Sequence, residues 1–193
     1  MYGAAMKKSP KGGAMAESRN YGPKSGKSGL PVNIIGNGFS TLSNVRVKFG
    51  QSAVAGEVKN DQHVKVEVPA GMPDGPVAIV LCSDGNPDIF VGGFTVGSVP
   101  PGTSVTDVYP DSIAAGGGTA VSIFGYGFKD VGVADAVTVG FGTATAQGTA
   151  VDSTLISVVA PAMPPRGGQQ AFNVMVTFSD GSTFQAAELT CYI

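Results

Sequence analysis

The sequence predicts an all-β protein made of two tandem β-sandwiches with an extended N-terminal arm. Three observations support this fold class. Turn-forming residues are abundant, with 29 glycines and 13 prolines among 193 residues, as expected for many short strands joined by tight turns. Apolar and polar residues alternate in several segments with the period of two that marks a half-buried strand. One glycine-containing motif begins at position 32 and recurs at position 121, which indicates an internal repeat.

Residues 1–29 form a separate basic segment. They hold six basic residues and one acidic residue, whereas residues 30–193 hold six basic and thirteen acidic residues. The segment shows no strand or helix periodicity, so we expect an extended arm that becomes ordered on a partner; a solubilising tail is the alternative. We also expect that removing residues 1–20 leaves both sandwiches folded. The candidate partner-binding residues of the arm are its cations: Lys7, Lys8, Lys11, Arg19, Lys24 and Lys27.

Four short motifs recur in the same order and define the repeat. The matched segments are 32–39 with 121–128, 45–50 with 137–142, 68–73 with 160–164, and 83–85 with 179–181. These matches predict a first sandwich at 30–97, a linker at 98–103 and a second sandwich at 104–193. Two adjacent prolines, Pro100 and Pro101, are expected to stiffen the linker.

The strand pattern is clearest in three segments. In residues 45–49 and 64–68, valine or phenylalanine alternates with charged residues, and in 172–178 apolar residues alternate with polar residues or methionine. Each segment therefore presents one apolar face to a core. Short strands of this kind between glycine, proline and aspartate turns are typical of a β-sandwich.

The order of these motifs resembles the IPT/TIG immunoglobulin-like domain. The residues that carry the resemblance are Gly117-Gly118-Thr119 through Phe128, Phe141-Gly142, Ala160-Pro161 and Ser179-Asp180-Gly181. The second copy fits from its opening segment at 105–110 onward. The first copy departs at its start, because only Tyr21-Gly22-Pro23 echoes Tyr109-Pro110. Its opening strand is then missing, degenerate or supplied by the arm. The resemblance implies an immunoglobulin-like fold, shared by transcription factors, receptors, surface proteins and accessory domains of enzymes.

The sequence offers little material for catalysis or cofactor binding. His63 is the only histidine, and we interpret it as an exposed turn residue rather than a base. Cys82 and Cys191 fall in different copies, so a disulfide within one domain is not expected. The motif G-x-G-F lacks the third glycine of a phosphate-binding loop. Residues 84–88 resemble the start of a calcium loop, but Ile89 stands where that loop requires glycine and no glutamate follows at its twelfth position. An Asp-Gly hairpin turn is therefore the preferred interpretation. We therefore predict a protein that is not an enzyme, with no catalytic residues, metal or cofactor.

Some strand residues predicted to point outward are apolar. If Val77, Ile79 and Leu81 point inward, then Ala78, Val80 and Cys82 point outward. Contiguous apolar residues on a sheet face often mark protein contacts. Ile35 and Phe124 are likewise apolar residues predicted to point outward from their strands. The predicted contact face comprises Ile35, Val80 and Phe124.

Three classes of function are compatible with these features. The first is a virion structural protein, most simply a phage capsid decoration (cement) protein anchored by its basic arm, with the immunoglobulin-like domains projecting. The second is a bacterial surface module for adhesion or polysaccharide binding. The third, a DNA-binding module like those of Rel-type transcription factors, is disfavoured because the domain bodies are acidic and would repel DNA.

The expected partners and location follow from the first class. We expect the partner to be a protein assembly, such as capsid or other virion subunits, and we expect no binding to nucleic acid. Formation of a homo-oligomer is a further possibility. No apolar run approaches the ~20 residues that span a bilayer, and residues 1–29 hold no continuous apolar segment of the secretory type. The predicted location is the virion, assembled in the host cytoplasm, with the extracellular surface as the alternative.

Overall fold

The chain folds into two β-sandwiches arranged in tandem. The computed structural model describes residues 15–129, 136–163 and 170–192, with the backbone alone for 187–192. In the described part of the chain there is no α-helix, and no helix there is long and apolar enough to cross a membrane. The all-β class predicted from alternation and turn residues is confirmed.

The first domain contains nine strands and one short 3-10 turn at Phe39–Thr41. The strands are β1 (Glu17–Gly22), β2 (Ser25–Gly26), β3 (Pro31–Asn37), β4 (Arg46–Phe49), β5 (Ser52–Ala55), β6 (Glu57–Asn60), β7 (His63–Glu67), β8 (Gly75–Cys82) and β9 (Ile89–Val96). One sheet has the order β1-β3-β7-β6 and the other β2-β9-β8-β4-β5. Residue 56 separates β5 from β6, so the chain passes from one sheet to the other at that point. The two sheets enclose a core of valine, isoleucine, leucine and phenylalanine side chains.

The described part of the second domain contains eight strands in one continuous pairing. They are β10 (Ser104–Tyr109), β11 (Ser112–Ala114), β12 (Ala120–Tyr126), β13 (Ala136–Phe141), β14 (Ala144–Asp152), β15 (Leu155–Val159), β16 (Gln170–Thr177) and β17 (Thr183–Tyr192). Their order is β10-β12-β15-β14-β13-β16-β17-β11. The long strand β14 pairs with β13 over residues 144–149 and with β15 over residues 148–152. It therefore connects the two layers of the second domain, as β5 and β6 together do in the first domain.

The repeated Gly-x-Gly motif has a structural role in both domains. A Cβ atom on Gly125 would lie 2.0 Å from the carbonyl oxygen of Ser104, so no other residue fits there. Gly127 has a φ of 68°, in the left-handed region that favours glycine. The following Phe128 is then directed into the core, where it is fully buried. Gly36, Gly38 and Phe39 repeat this arrangement in the first domain.

The opening strand of the first domain comes from the segment predicted to be an arm. In β1, Tyr21 pairs with Ile34 just as Val108 pairs with Ile123 in the second domain. The Tyr21 side chain is buried and its hydroxyl donates to the carbonyl oxygen of Gly93. The first domain therefore begins at residue 17 rather than residue 30. Removing residues 1–20 would delete four of the six residues of β1, so we now expect this truncation to destabilise the first domain.

Phe128→Ala should lower the free energy of unfolding of the second domain by ~3–5 kcal/mol, because the ring is fully buried and its loss leaves a cavity. The ring also lies 6.1 Å from that of Phe178. Urea denaturation of the full chain measures the loss. The matched control is Phe90→Ala, which removes a ring that is 69% exposed and should change stability by no more than ~0.5 kcal/mol. Equal effects of the two substitutions would contradict the assignment of Phe128 to the core.

Candidate functional site

The two domains are in direct contact, and one part of the contact is formed by β1 of the first domain and β12 of the second. Phe124 on β12 is fully buried, and its ring covers Gly22 at the end of β1. A Cβ atom on Gly22 would lie 2.4 Å from Phe124 Cγ, so this contact requires glycine. The residue at the equivalent position of the second domain is Tyr109, since Gly22 pairs with Asn33 and Tyr109 with Ser122. The repeat has therefore diverged where the two domains meet.

Polar contacts between the domains accompany this packing. The hydroxyl of Tyr126 donates to the carbonyl oxygen of Ser25 at 2.9 Å. The amide of Asn20 donates to a carboxylate oxygen of Asp107 at 3.3 Å. The first strands of both domains thus contribute to one interface.

A buried group of polar residues, which we call the interdomain node, lies beside these contacts. It comprises Asn33, His63 and Lys65 of the first domain and Asp152 and Thr154 of the second. The amide nitrogen of Asn33 donates to Asp152 Oδ2 at 3.2 Å and to Thr154 Oγ1 at 3.0 Å. Lys65 Nζ lies 3.2 Å from the same Oδ2. Because Asn33 and Thr154 are fully buried and Asp152 nearly so, these bonds satisfy groups that water does not reach.

The turn before β15 places the carboxylate of Asp152. The backbone amide of Thr154 donates to Asp152 Oδ1 at 2.9 Å, which is the local bond that aspartate and asparagine favour in turns. The first domain forms the same bond from the amide of Gln62 to Asn60 Oδ1 at 2.8 Å. The repeat therefore supplies the turn, and the second domain differs by carrying a carboxylate there.

His63 stands at the first-domain end of the node. Its Nε2 lies 2.7 Å from Asn33 Oδ1, and since the Asn33 nitrogen donates to Asp152 and Thr154, His63 Nε2 is the donor. Burial lowers the pKa of His63, and the nearby carboxylate of Asp152 opposes this effect. The interpretation of His63 as an exposed turn residue is wrong: it begins β7 and is only 8% exposed, because the second domain covers this part of the sheet.

A cleft of about 500 Å³ opens beside the node and is lined by both domains. We call it the interdomain cleft. Its first-domain side is formed by residues of β1, β3, β6 and β7, and its second-domain side by residues of β10, β12, β14 and β15. The side chains that give it its chemistry are Arg19, Ile35, Lys59, Tyr109, Ser122, Val151 and Ser157.

A second surface lies on the other sheet of the first domain. Val80 on β8 pairs with Phe90 on β9, and Ala78 pairs with Gly93. We call these four residues the Phe90 face. Phe90 is 69% exposed, whereas Ile79 and Leu81, the alternate residues of β8, are fully buried in the core. The predicted inward and outward rows of β8 are therefore confirmed.

Ion pairs border the Phe90 face at one end. Lys48 Nζ lies 3.4 Å from Asp88 Oδ2, and Arg46 Nη2 lies 3.5 Å from Asp84 Oδ1. The carboxylates of the suspected calcium loop thus contact cationic side chains. Among the described residues, no group of three or more histidine, cysteine or acidic side chains could hold a metal ion.

The cations of the predicted arm do not form one surface. Lys7, Lys8 and Lys11 lie outside the described residues. The cations that the structure describes are Arg19, Lys24 and Lys27. Arg19 forms an ion pair with Glu17 at 2.7 Å, and Lys24 Nζ lies 3.4 Å from the centre of the Tyr21 ring. Lys27 is exposed in the segment before β3.

The residues predicted to share a contact face lie on separate surfaces. Ile35 lines the interdomain cleft, Val80 belongs to the Phe90 face, and Phe124 is buried between the domains. The grouping of the three is therefore wrong, because it assigned strands to outward faces without the domain–domain packing. Cys82, the cysteine whose side chain is described, is half-buried, and burial raises the pKa of its thiol.

Sequence reasoning missed the interdomain node and the cleft. Asn33 interrupts an apolar strand between Val32 and Ile34, which is the signal that could have been noticed. Its partners Asp152 and Thr154 follow more than a hundred residues later, and no local pattern joins them to Asn33.

Comparison with known proteins identifies the domains. A family model described as the IPT/TIG domain matches residues 17–96 and 103–190. The gap between the two matches contains most of the predicted linker, and the first match begins at the first residue of β1. No curated protein sequence matches at a significant level.

Comparison with solved structures gives only distant matches. SGBP-B of the Bacteroides ovatus mixed-linkage glucan utilization locus, in complex with a mixed-linkage heptasaccharide, is 14% identical, with a TM-score of 0.38 over 91% of this chain and 45% of that one. The surface glycan-binding protein PbSGBP-B from Prevotella bryantii is 17% identical, with a TM-score of 0.34 over 90% and 42%. The extracellular region of plexin A4 is 14% identical, with a TM-score of 0.38 over 89% and 16%. The chain thus spans less than half the length of each.

Acidification should destabilise the protein through His63. Its pKa is below the ordinary value of 6.5, so the unfolded chain binds the proton first as the pH falls. The stability contributed by neutral His63 is present above pH ~6.5 and is lost as the pH falls toward the lower folded pKa. Asp152 and Glu57 favour the charged imidazole, whereas Lys59 and Lys65 oppose it.

The measurement is the free energy of unfolding in urea between about pH 7.5 and pH 5, a range above the ordinary pKa values of carboxylates. His63→Gln keeps an amide donor for Asn33 but does not titrate, so its stability should vary less with pH than that of the wild type. Parallel pH profiles for the two proteins would show that His63 is not the titrating group.

Proposed function

The chain belongs to the IPT/TIG domain family, and on this premise we propose that it is a non-enzymatic adhesion module of an extracellular surface that binds a protein partner through the Phe90 face. Domains of this family generally mediate protein–protein interaction. The proposal corresponds to the second class of function considered from the sequence.

The observation that carries the proposal is the exposed ring of Phe90 beside other apolar residues. A single exposed hydrophobic residue is common on protein surfaces, but Phe90 directly pairs with Val80, and Ala78 continues the outward row on the same strand. Gly93 adds no side chain, so it leaves space next to the ring. Burying a phenylalanine side chain in an interface contributes roughly 1.5–3 kcal/mol. The ion pairs at one end supply the polar rim that protein interfaces share.

The second domain shows that the fold does not require this face. The register places Asn173, Met175 and Gln185 where the first domain has Ala78, Val80 and Phe90. Gln185 is exposed and polar at the position of Phe90. Since both sandwiches are built from the same motifs, the exposed aromatic ring of the Phe90 face is a property of the first domain, and partner binding accounts for it.

The positions of His63 and Cys82 support the proposal that the protein is not an enzyme. His63 is held in the interdomain node by Asn33, on the opposite sheet from Cys82. The neighbours of Cys82 are Lys48 and Asp88, so Cys82 and His63 do not form a nucleophile and base pair. The first class of function, a virion structural protein, rested on a basic arm of 29 residues, and β1 and β2 now account for part of that segment.

Photo-crosslinking from position 90 tests the proposed interface. The photoreactive amino acid p-benzoylphenylalanine replaces Phe90 in one protein and Gln185 in its matched control, each produced in the native source. We expect a covalent adduct with one partner protein from position 90 and none from position 185.

The partner identified in this way is then purified and its affinity measured. Phe90→Ser should weaken binding by at least about tenfold, or ~1.4 kcal/mol, without changing the thermal midpoint of the free protein, because the ring is exposed. Gln185→Ser should leave the affinity unchanged. Adducts of equal yield at both positions, or an unchanged affinity of Phe90→Ser, would overturn the proposal.

A further inference from the structure

We infer that the interdomain cleft is a second ligand site, built for a saccharide that carries a carboxylate. The site lies on the sheet opposite the Phe90 face and is independent of the protein contact proposed above. Its volume of about 500 Å³ lies within the range of small-molecule sites, which occur preferentially where domains meet.

Two β-bulges direct cations toward the cleft. The pairing of β1 with β3 shifts between Ser18 and Asn20, which leaves Arg19 as the extra residue. The pairing of β6 with β7 shifts between Val58 and Asn60, which leaves Lys59 as the extra residue. Bulges change the direction of a side chain and are frequent beside binding sites. Both residues line the cleft, on the two edge strands of the same four-stranded sheet.

The second domain has the same bulges with different residues. Its extra residues are Thr106 in β10 and Val151 in β14. The bulges are therefore part of the fold, whereas the two cations are particular to the first domain. This difference indicates that the cations serve the cleft and not the sandwich.

Arg19 and Lys59 can exchange their present partners for a ligand at little cost. Arg19 pairs with Glu17 at 2.7 Å and Lys59 with Glu57 at 2.6 Å. In all four side chains more than a third of the surface is exposed, and exposed pairs of this kind contribute only ~0–1 kcal/mol. A carboxylate bound between Arg19 and Lys59 would receive charge-assisted hydrogen bonds from both.

The rest of the lining suits a hydroxylated ring. Ser122 and Ser157 face each other across β12 and β15, and neither hydroxyl has a partner among the described residues. Ile35 and Val151 provide an apolar floor, with Val151 38% exposed. A sugar ring presents C–H groups on one face and hydroxyl groups at its edge, so it matches a floor of this kind with polar residues around it. An acidic peptide would match the cations but would leave the serine pair without a specific partner.

Calorimetric titration of the full chain with three probes tests this assignment. The probes are trigalacturonic acid, its neutral counterpart galactotriose, and hexaglutamate as an acidic peptide. We expect trigalacturonic acid to bind at least fivefold more tightly than either of the other two. We also expect it to shift the amide NMR signals of Ser122 and Ser157.

Substitutions separate the cleft from the general charge of the surface. Arg19→Gln and Lys59→Gln should each weaken binding of trigalacturonic acid by at least threefold, and the double variant should lose the preference for the acid. The matched control is Arg46→Gln, which removes an arginine of similar exposure (62% against 52% for Arg19) beside the Phe90 face and should leave binding unchanged.

Three outcomes would overturn the inference. They are binding of none of the probes, binding of hexaglutamate as tight as that of trigalacturonic acid, and an undiminished preference for the acid in the double variant. The protein contact at the Phe90 face would stand in each of these cases, because its test uses different residues and a different partner.

Discussion

The buried carboxylate of Asp152 is the constraint on which the arrangement of the two domains depends. A carboxylate removed from water is strongly unfavourable unless it is paired and hydrogen-bonded. Its own turn supplies only the amide and the hydroxyl of Thr154. The remaining partners, Asn33 and Lys65, belong to the first domain. Separating the domains would therefore leave Asp152 without half of its partners, whereas the observed contact satisfies them all.

The other features of the molecule follow from this contact. It covers His63, which lowers the pKa of the imidazole. It brings the ring of Phe124 over Gly22, a position where the second domain carries Tyr109. It also places the bulges of β1 and β6 opposite β12 and β15, which creates the interdomain cleft. The Phe90 face lies on the other sheet, which meets the second domain through Ser25 of its edge strand β2. The ring of Phe90 itself stays 69% exposed.

Much of the fold could be predicted from the sequence because its signals are local. The Gly-x-Gly-Phe motif and the alternation of valines specify a strand and its buried face wherever they occur, and both recur in the second copy. Strand β1 was missed because it is an edge strand in which Tyr21 is the one large apolar residue. Asn20 contacts the second domain and Arg19 lines the cleft, so polar residues occupy this strand and apolar alternation is lacking.

The candidate sites were harder to predict because they depend on how the two domains pack against each other. Val80 was placed correctly on an outward row, since alternation within β8 determines it. Phe124 and His63 were placed on the surface because alternation gives the face of a strand but not what packs against that face. Asn33 and Asp152 are 119 residues apart, and their pairing depends on the orientation of two complete domains.

Measurement of backbone 15N relaxation tests the central claim, which is that the interdomain node holds the two domains as one rigid unit. In the full-length protein, the amides of residues 17–96 and 104–190 should report a single rotational correlation time appropriate to the whole chain. The variant Asn33→Ala leaves His63 and Asp152 without their shared partner. In this variant the amides of the two domains should report two different rotational correlation times, both shorter than that of the wild-type protein. Independent tumbling of the domains in the wild-type protein would contradict the claim.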